Sequence, residues 1–106
     1  MSTPDAPAFR IQPSGDGRTF VLTGELDMAA ADQVAQATVG VDGDGDVVFD
    51  LGGLAFIDSS GLRAVLRVAE RIGGGTLILR APSDPVLRVL DIVGLTDATS
   101  RIVIER

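Results

Sequence analysis

Val47-Val48-Phe49-Asp50-Leu51, then Gly52 to Ile57, then Asp58-Ser59-Ser60-Gly61-Leu62, is the stretch that decides the fold. Val47 to Leu51 is an apolar run broken only by Asp50, which suits a strand covered on both faces within a parallel sheet. Beyond it the period changes. Leu62, Val65, Leu66, Ala69 and Ile72 recur at helical spacing, while Arg63, Arg67 and Arg71 line another face of the same run. A strand therefore gives way to an amphipathic helix at Asp58-Ser59-Ser60. A helix start leaves about four backbone N–H groups unpaired and carries partial positive charge, so a hydroxyl there either caps the helix or accepts a phosphate.

Upstream, Phe9-Arg10-Ile11-Gln12 and Thr19-Phe20-Val21-Leu22-Thr23 flank Ser14-Gly15-Asp16-Gly17, the pattern of two strands joined by a hairpin loop. Gly24-Glu25-Leu26-Asp27 is expected to break the second strand. Asp27 is then placed to cap a helix through about Val39, ended by Gly40, with a thin apolar stripe of Ala30, Val34 and Ala37 or Thr38.

Downstream, Gly73-Gly74-Gly75 stops the long helix and Thr76 to Arg80 supplies another buried strand. Asp84 as a capping carboxylate, with Pro85 at the first helical position, starts a further helix whose inner face is Val86, Val89, Leu90 and Val93. Gly94 followed by Leu95 resembles a Schellman ending, and Arg101 to Glu105 closes the chain as a last strand. The order β-β-α-β-α-β-α-β predicts an α/β fold with a mixed, mainly parallel sheet and right-handed crossovers. Residues 1–8, with Pro4 and Pro7 among small polar neighbours, read as a disordered N-terminal tail before a single domain over 9–106.

Composition removes whole classes of chemistry. At 106 residues, 45% of them apolar, the chain suits one modest core. A net charge of −6 without any basic run argues against nucleic acid and against acidic membrane surfaces, since both need clustered positive charge. There is no Cys and no His, and all nine basic residues are Arg. Thiolate nucleophiles, zinc–thiolate sites, the usual triad base and the P-loop lysine are therefore excluded. What remains is a poor toolkit for an enzyme, and neither a cofactor nor a metal is expected. No stretch approaches the roughly 20 apolar residues that span a bilayer. Met1 to Pro7 lacks the basic and apolar regions of a signal peptide, so a cytoplasmic protein is expected.

Three motifs invite chemical readings and lose them in detail. Asp42-Gly43-Asp44-Gly45-Asp46 alternates carboxylates like a calcium loop, but its sixth position is Val47 rather than Gly and its twelfth is Gly53 rather than Glu. A solvated turn accounts for it better. Gly52-Gly53 and Gly73 to Gly75 lack the spacing of dinucleotide or P-loop fingerprints and read as connectors. Ile57-Asp58-Ser59-Ser60-Gly61 misses the nucleophile elbow, because Ile57 stands where Gly is needed and no histidine is present.

For Asp58-Ser59-Ser60 alone, a plain helix cap is the bland alternative. Context tips the balance. Asp50-Leu51 through Asp58-Ser59-Ser60-Gly61-Leu62, joined by Thr23-Gly24-Glu25-Leu26-Asp27 and by the element order, resembles the STAS domain of anti-sigma factor antagonists, over about residues 9 to 105. These are small phosphorylated switches of bacterial partner-switching systems that regulate transcription. The resemblance implies that Ser59 is the phosphoacceptor with Ser60 as its neighbour, that Asp27 lies close to that serine on the partner surface, and that Asp58 and Gly61 complete the motif. It further implies a protein partner that is both anti-sigma factor and serine kinase, of the histidine-kinase-like ATPase fold, and a serine phosphatase that reverses the modification. Arg63, four residues past Ser59, either contacts the phosphate or is a solvated helix residue. Some members carry a further helix after the last strand, and any contact made by such a helix is not expected from residues up to Arg106. The alternative implied by the same resemblance is a constitutive subunit of a lipid-transport or stress-signalling assembly.

Overall fold

In the computed structural model, which describes residues 8–41, 45–72, 75–92 and 102–106, the order of elements is the expected one. It runs β1 (Arg10–Ser14), β2 (Thr19–Leu26), α1 (Ala31–Ala37), β3 (Val47–Ile57), α2 (Ser59–Arg71), β4 (Leu77–Arg80), α3 (Asp84–Ile92) and β5 (Ile102–Glu105). The five strands lie side by side in sequence order, β1 antiparallel to β2 and the other pairs parallel. The β1–β2 turn is held by Asp16, whose Oδ1 accepts the amides of Arg18 at 2.9 Å and Thr19 at 3.0 Å. The first of those bonds is the main reason its carboxyl is held below the ordinary carboxylate range.

One face of the sheet carries the core. Phe20, Leu22 and Leu26 of β2, Phe49, Leu51, Leu54 and Ile57 of β3, and Leu77 and Leu79 of β4 are buried together with Val34, Val65, Val68, Val86 and Leu90 from the three helices. Phe20 and Phe49 meet edge to face, with ring centroids 5.9 Å apart. The opposite face is open: Val21, Val48, Asp50 and Ile78 are only half-buried, and Arg80 and Val103 are exposed. The expectation of a β3 strand covered on both faces is therefore wrong. Each parallel strand is placed beside the last in the same direction, and right-handed crossovers then return every helix to one side. Asp50 points away from the core, and its Oδ1 accepts the Gly52 amide at 3.0 Å.

Several local expectations are corrected as well. The strand does not break at Gly24 but runs to Leu26, and β3 passes through Gly52 and Gly53, which are not connectors. Two register shifts between β2 and β3 absorb one extra β3 residue each, so these glycines belong to bulged strands. Gly24 has φ +89°, and a side chain there would overlap the Ala8 carbonyl oxygen. Asp27 does not cap α1. It closes its own turn by accepting the Ala30 amide at 3.1 Å, and Ala30, the residue in the cap position, makes no side-chain cap bond. Similarly, α3 begins at Asp84, so Pro85 is its second residue, and the Leu87 amide donates to the Ser83 carbonyl at 2.8 Å. The expected N-terminal tail up to Pro7, Asp42 to Asp44 of the acidic turn, Gly73-Gly74, Val93, the Gly94-Leu95 helix ending and Arg101 lie outside the described residues. Among the described residues, no helix is long and apolar enough to cross a membrane.

Candidate functional site

Leu26 and Ile57 are paired neighbours at the carboxyl ends of parallel strands β2 and β3. Asp27 and Asp58, which follow them, consequently leave the sheet side by side, at the edge where open α/β sheets present their binding loops. The Asp58 amide donates to the Leu26 carbonyl at 3.2 Å. Gly61 rests on the same carbonyl, where a side chain would overlap the oxygen and approach Leu26 Cγ to 2.7 Å. Two motifs far apart in sequence thus form one surface, and the close approach needs glycine at position 61.

Asp58 is the N-cap of α2. Its backbone is extended, its Oδ1 accepts the Gly61 amide at 2.9 Å, and its carbonyl accepts the Leu62 amide at 2.9 Å. The carboxylate therefore performs the capping that a serine hydroxyl otherwise supplies. Ser59 is left as the first residue of the helix, exposed to solvent, with Ser60 half-buried behind it. Among the described residues no acceptor meets the amides of Ser59 and Ser60. A phosphate on Ser59 would find those N–H groups and the positive end of a 13-residue helix.

The expected site residues divide between two sides of the helix start. Asp27, Asp58, Ser59 and Gly61 gather at the carboxyl ends of β2 and β3. Asp27 also borders a shallow hollow of about 270 Å³ shared with Glu25 and Gln33. Ser60 and Arg63 instead line a groove of about 460 Å³ between α1 and α2, together with Met28, Asp32, Arg67 and Arg71. Arg71 ties the two helices together, donating to the Thr38 carbonyl at 3.0 Å and to Thr38 Oγ1 at 2.8 Å. Met28 and Asp32 were missed in the sequence because they lie in a turn and a short helix with almost no periodicity. The arginine stripe was visible, but not what it faces.

No group of three or more carboxylates that could hold a metal ion occurs among the described residues. Asp46, the last residue of the acidic run, uses Oδ1 to accept the Thr76 amide at 3.0 Å. The arrangement offers an accessible alcohol, that of Ser59, beside the carboxylate that caps the helix.

A family model described as the STAS domain matches residues 8–102. Several solved structures share the fold, three of them as follows. One is a candidate anti-sigma factor antagonist from Thermotoga maritima, with TM-score 0.69, 21% identity, and 92% of this chain and 86% of that chain covered. The anti-sigma factor antagonist SpoIIAA in its unphosphorylated form aligns with TM-score 0.65 and 26% identity, over 93% of this chain and 89% of that one. A sulfate transporter family protein from Wolinella succinogenes aligns with TM-score 0.68 and 16% identity, over 90% and 82%. The first and third likenesses concern the fold alone. No curated protein sequence matches.

Proposed function

Since the chain belongs to the STAS domain family, we propose that it is an anti-sigma factor antagonist whose grip on its partner is switched by phosphorylation of Ser59. The observation that carries this reading is the division of labour at the start of α2: Asp58 caps the helix, and the Ser59 hydroxyl stands exposed with no structural duty. SpoIIAA, 26% identical to this chain, is an anti-sigma factor antagonist described in an unphosphorylated form, which supports the same kind of switch here.

Unmodified, the surface formed by Asp27, Asp58, Ser59, Gly61 and the exposed side of α2 docks on an anti-sigma factor, and the sigma factor is released. That partner is itself an ATP-dependent serine kinase. Ser59 Oγ attacks the γ-phosphorus of its ATP; the O–P bond forms, the bond to ADP breaks, and the hydroxyl proton passes to a base of the kinase. A serine phosphatase later hydrolyses the phosphoserine and restores the antagonist. The chain itself catalyses nothing and needs no cofactor, with residues 9–106 acting as one unit in the cytoplasm.

Phosphorylation adds about −1.5 to −2 charges. At the helix start the fold accommodates them, but an interface closing over Asp58 and Asp27 pays desolvation and like-charge repulsion of several kcal/mol. Since 1.4 kcal/mol is a factor of ten, a penalty of about 3–4 kcal/mol weakens binding roughly a hundredfold to a thousandfold. No large conformational change is required.

Incubation with the cognate kinase and ATP, followed by mass spectrometry, should place the phosphate on Ser59. Ser59→Ala should retain the complex and make it insensitive to ATP, and Ser59→Asp should weaken it. A phosphate found elsewhere would overturn the assignment. A complex of the wild-type protein that ATP does not disturb would favour the constitutive-subunit alternative.

A further inference from the structure

We propose that the groove between α1 and α2 receives an acidic segment of the anti-sigma factor, with carboxylates about one helical turn apart pairing with Arg63 and Arg67. This deepens the switch reading above and rests on it. The chain carries a net charge of −6, yet this groove reverses the sign locally: Arg63, Arg67 and Arg71 line it against the single carboxylate of Asp32. Arg63 and Arg67 are exposed and, among the described residues, neither makes a hydrogen bond or an ion pair. Four residues apart on α2, they sit about 6 Å apart along the axis, and their planar guanidinium forks suit carboxylates.

The rest of the groove is built for a protein segment. Its floor is small and apolar, with Ala31, Ala35, Ala64 and Val68, and Met28 stands 76% exposed at its edge as an adaptable apolar contact. Arg71 is already committed to Thr38, so the two walls are held in place before anything binds. Ser60 lines the groove and adjoins Ser59, which makes the groove continuous with the proposed kinase-facing surface.

The arrangement links docking to modification. A phosphate on Ser59 lies one turn before Arg63, within reach of the i,i+4 pairing that helices favour. Phosphorylation therefore draws Arg63 out of the groove as well as adding charge at the helix start.

The test is the affinity of the unphosphorylated protein for the anti-sigma factor by titration calorimetry at low and high salt. The double variant Arg63→Glu, Arg67→Glu is compared with Arg10→Glu, Arg88→Glu, which changes net charge equally at exposed positions on β1 and α3. Circular dichroism confirms that both remain folded. The groove variant should bind about tenfold or more weakly and lose salt dependence, and the control should change little. Equal affinities and salt slopes for groove variant and wild type would overturn this proposal and leave the switch intact. Failure of the wild-type protein to bind any anti-sigma factor would instead overturn the reading on which it rests.

Discussion

Gly61 of α2 lies directly against the carbonyl of Leu26, the same oxygen that accepts the Asp58 amide. One backbone group of β2 thus sets both the height and the tilt at which α2 leaves the sheet. Ser59 is positioned through that contact, although neither Leu26 nor Gly61 carries a reactive group.

Gly61→Ala should therefore destabilise the protein by about 1–3 kcal/mol, because the new methyl meets backbone that cannot rotate away. Thermal denaturation measures the loss. The same variant should bind the anti-sigma factor more weakly at temperatures where it is still folded, since α2 must shift relative to Asp27. Wild-type stability in this variant would show that the contact is not restrictive.

Position 58 separates capping from charge. Asp58→Ala should lose about 0.5–2 kcal/mol of stability, whereas Asp58→Asn, an equally good cap, should stay close to wild type. In a partner-binding assay the Asn variant should show a smaller loss of affinity on phosphorylation of Ser59, because one of the opposing carboxylates is gone. An Asn variant as unstable as the Ala variant would contradict the capping role of Oδ1.

Phosphorylation at Ser59 should leave the fold intact and raise its stability by about 0.3–1 kcal/mol, the usual benefit of an anion at a helix start. Chemical denaturation of fully phosphorylated protein provides the value. A marked loss of stability would mean that the switch works by unfolding α2 rather than by charge at the interface.

The element order was legible because each change of period is local. Leu62, Val65, Ala69 and Ile72 mark α2 as clearly in sequence as in space, and all are buried. The glycines misled for an equally local reason: Gly24, Gly52 and Gly53 look like breaks, and only pairing between β2 and β3 shows them inside bulged strands. Asp27 looked like a helix cap because a carboxylate before an apolar stripe has that signature, but its oxygen is satisfied within the preceding turn.

Period, capping chemistry and the absence of His, Cys and Lys were enough to establish an α/β chain with a helix-start serine and little means of catalysis, since these properties depend on neighbours along the backbone. Why Gly61 must lack a side chain, which face of the sheet stays open and that Arg63 and Arg67 share a groove with Met28 depend on strands and helices brought together from distant segments. Such contacts are set by strand order and crossover handedness, which no short window of sequence contains.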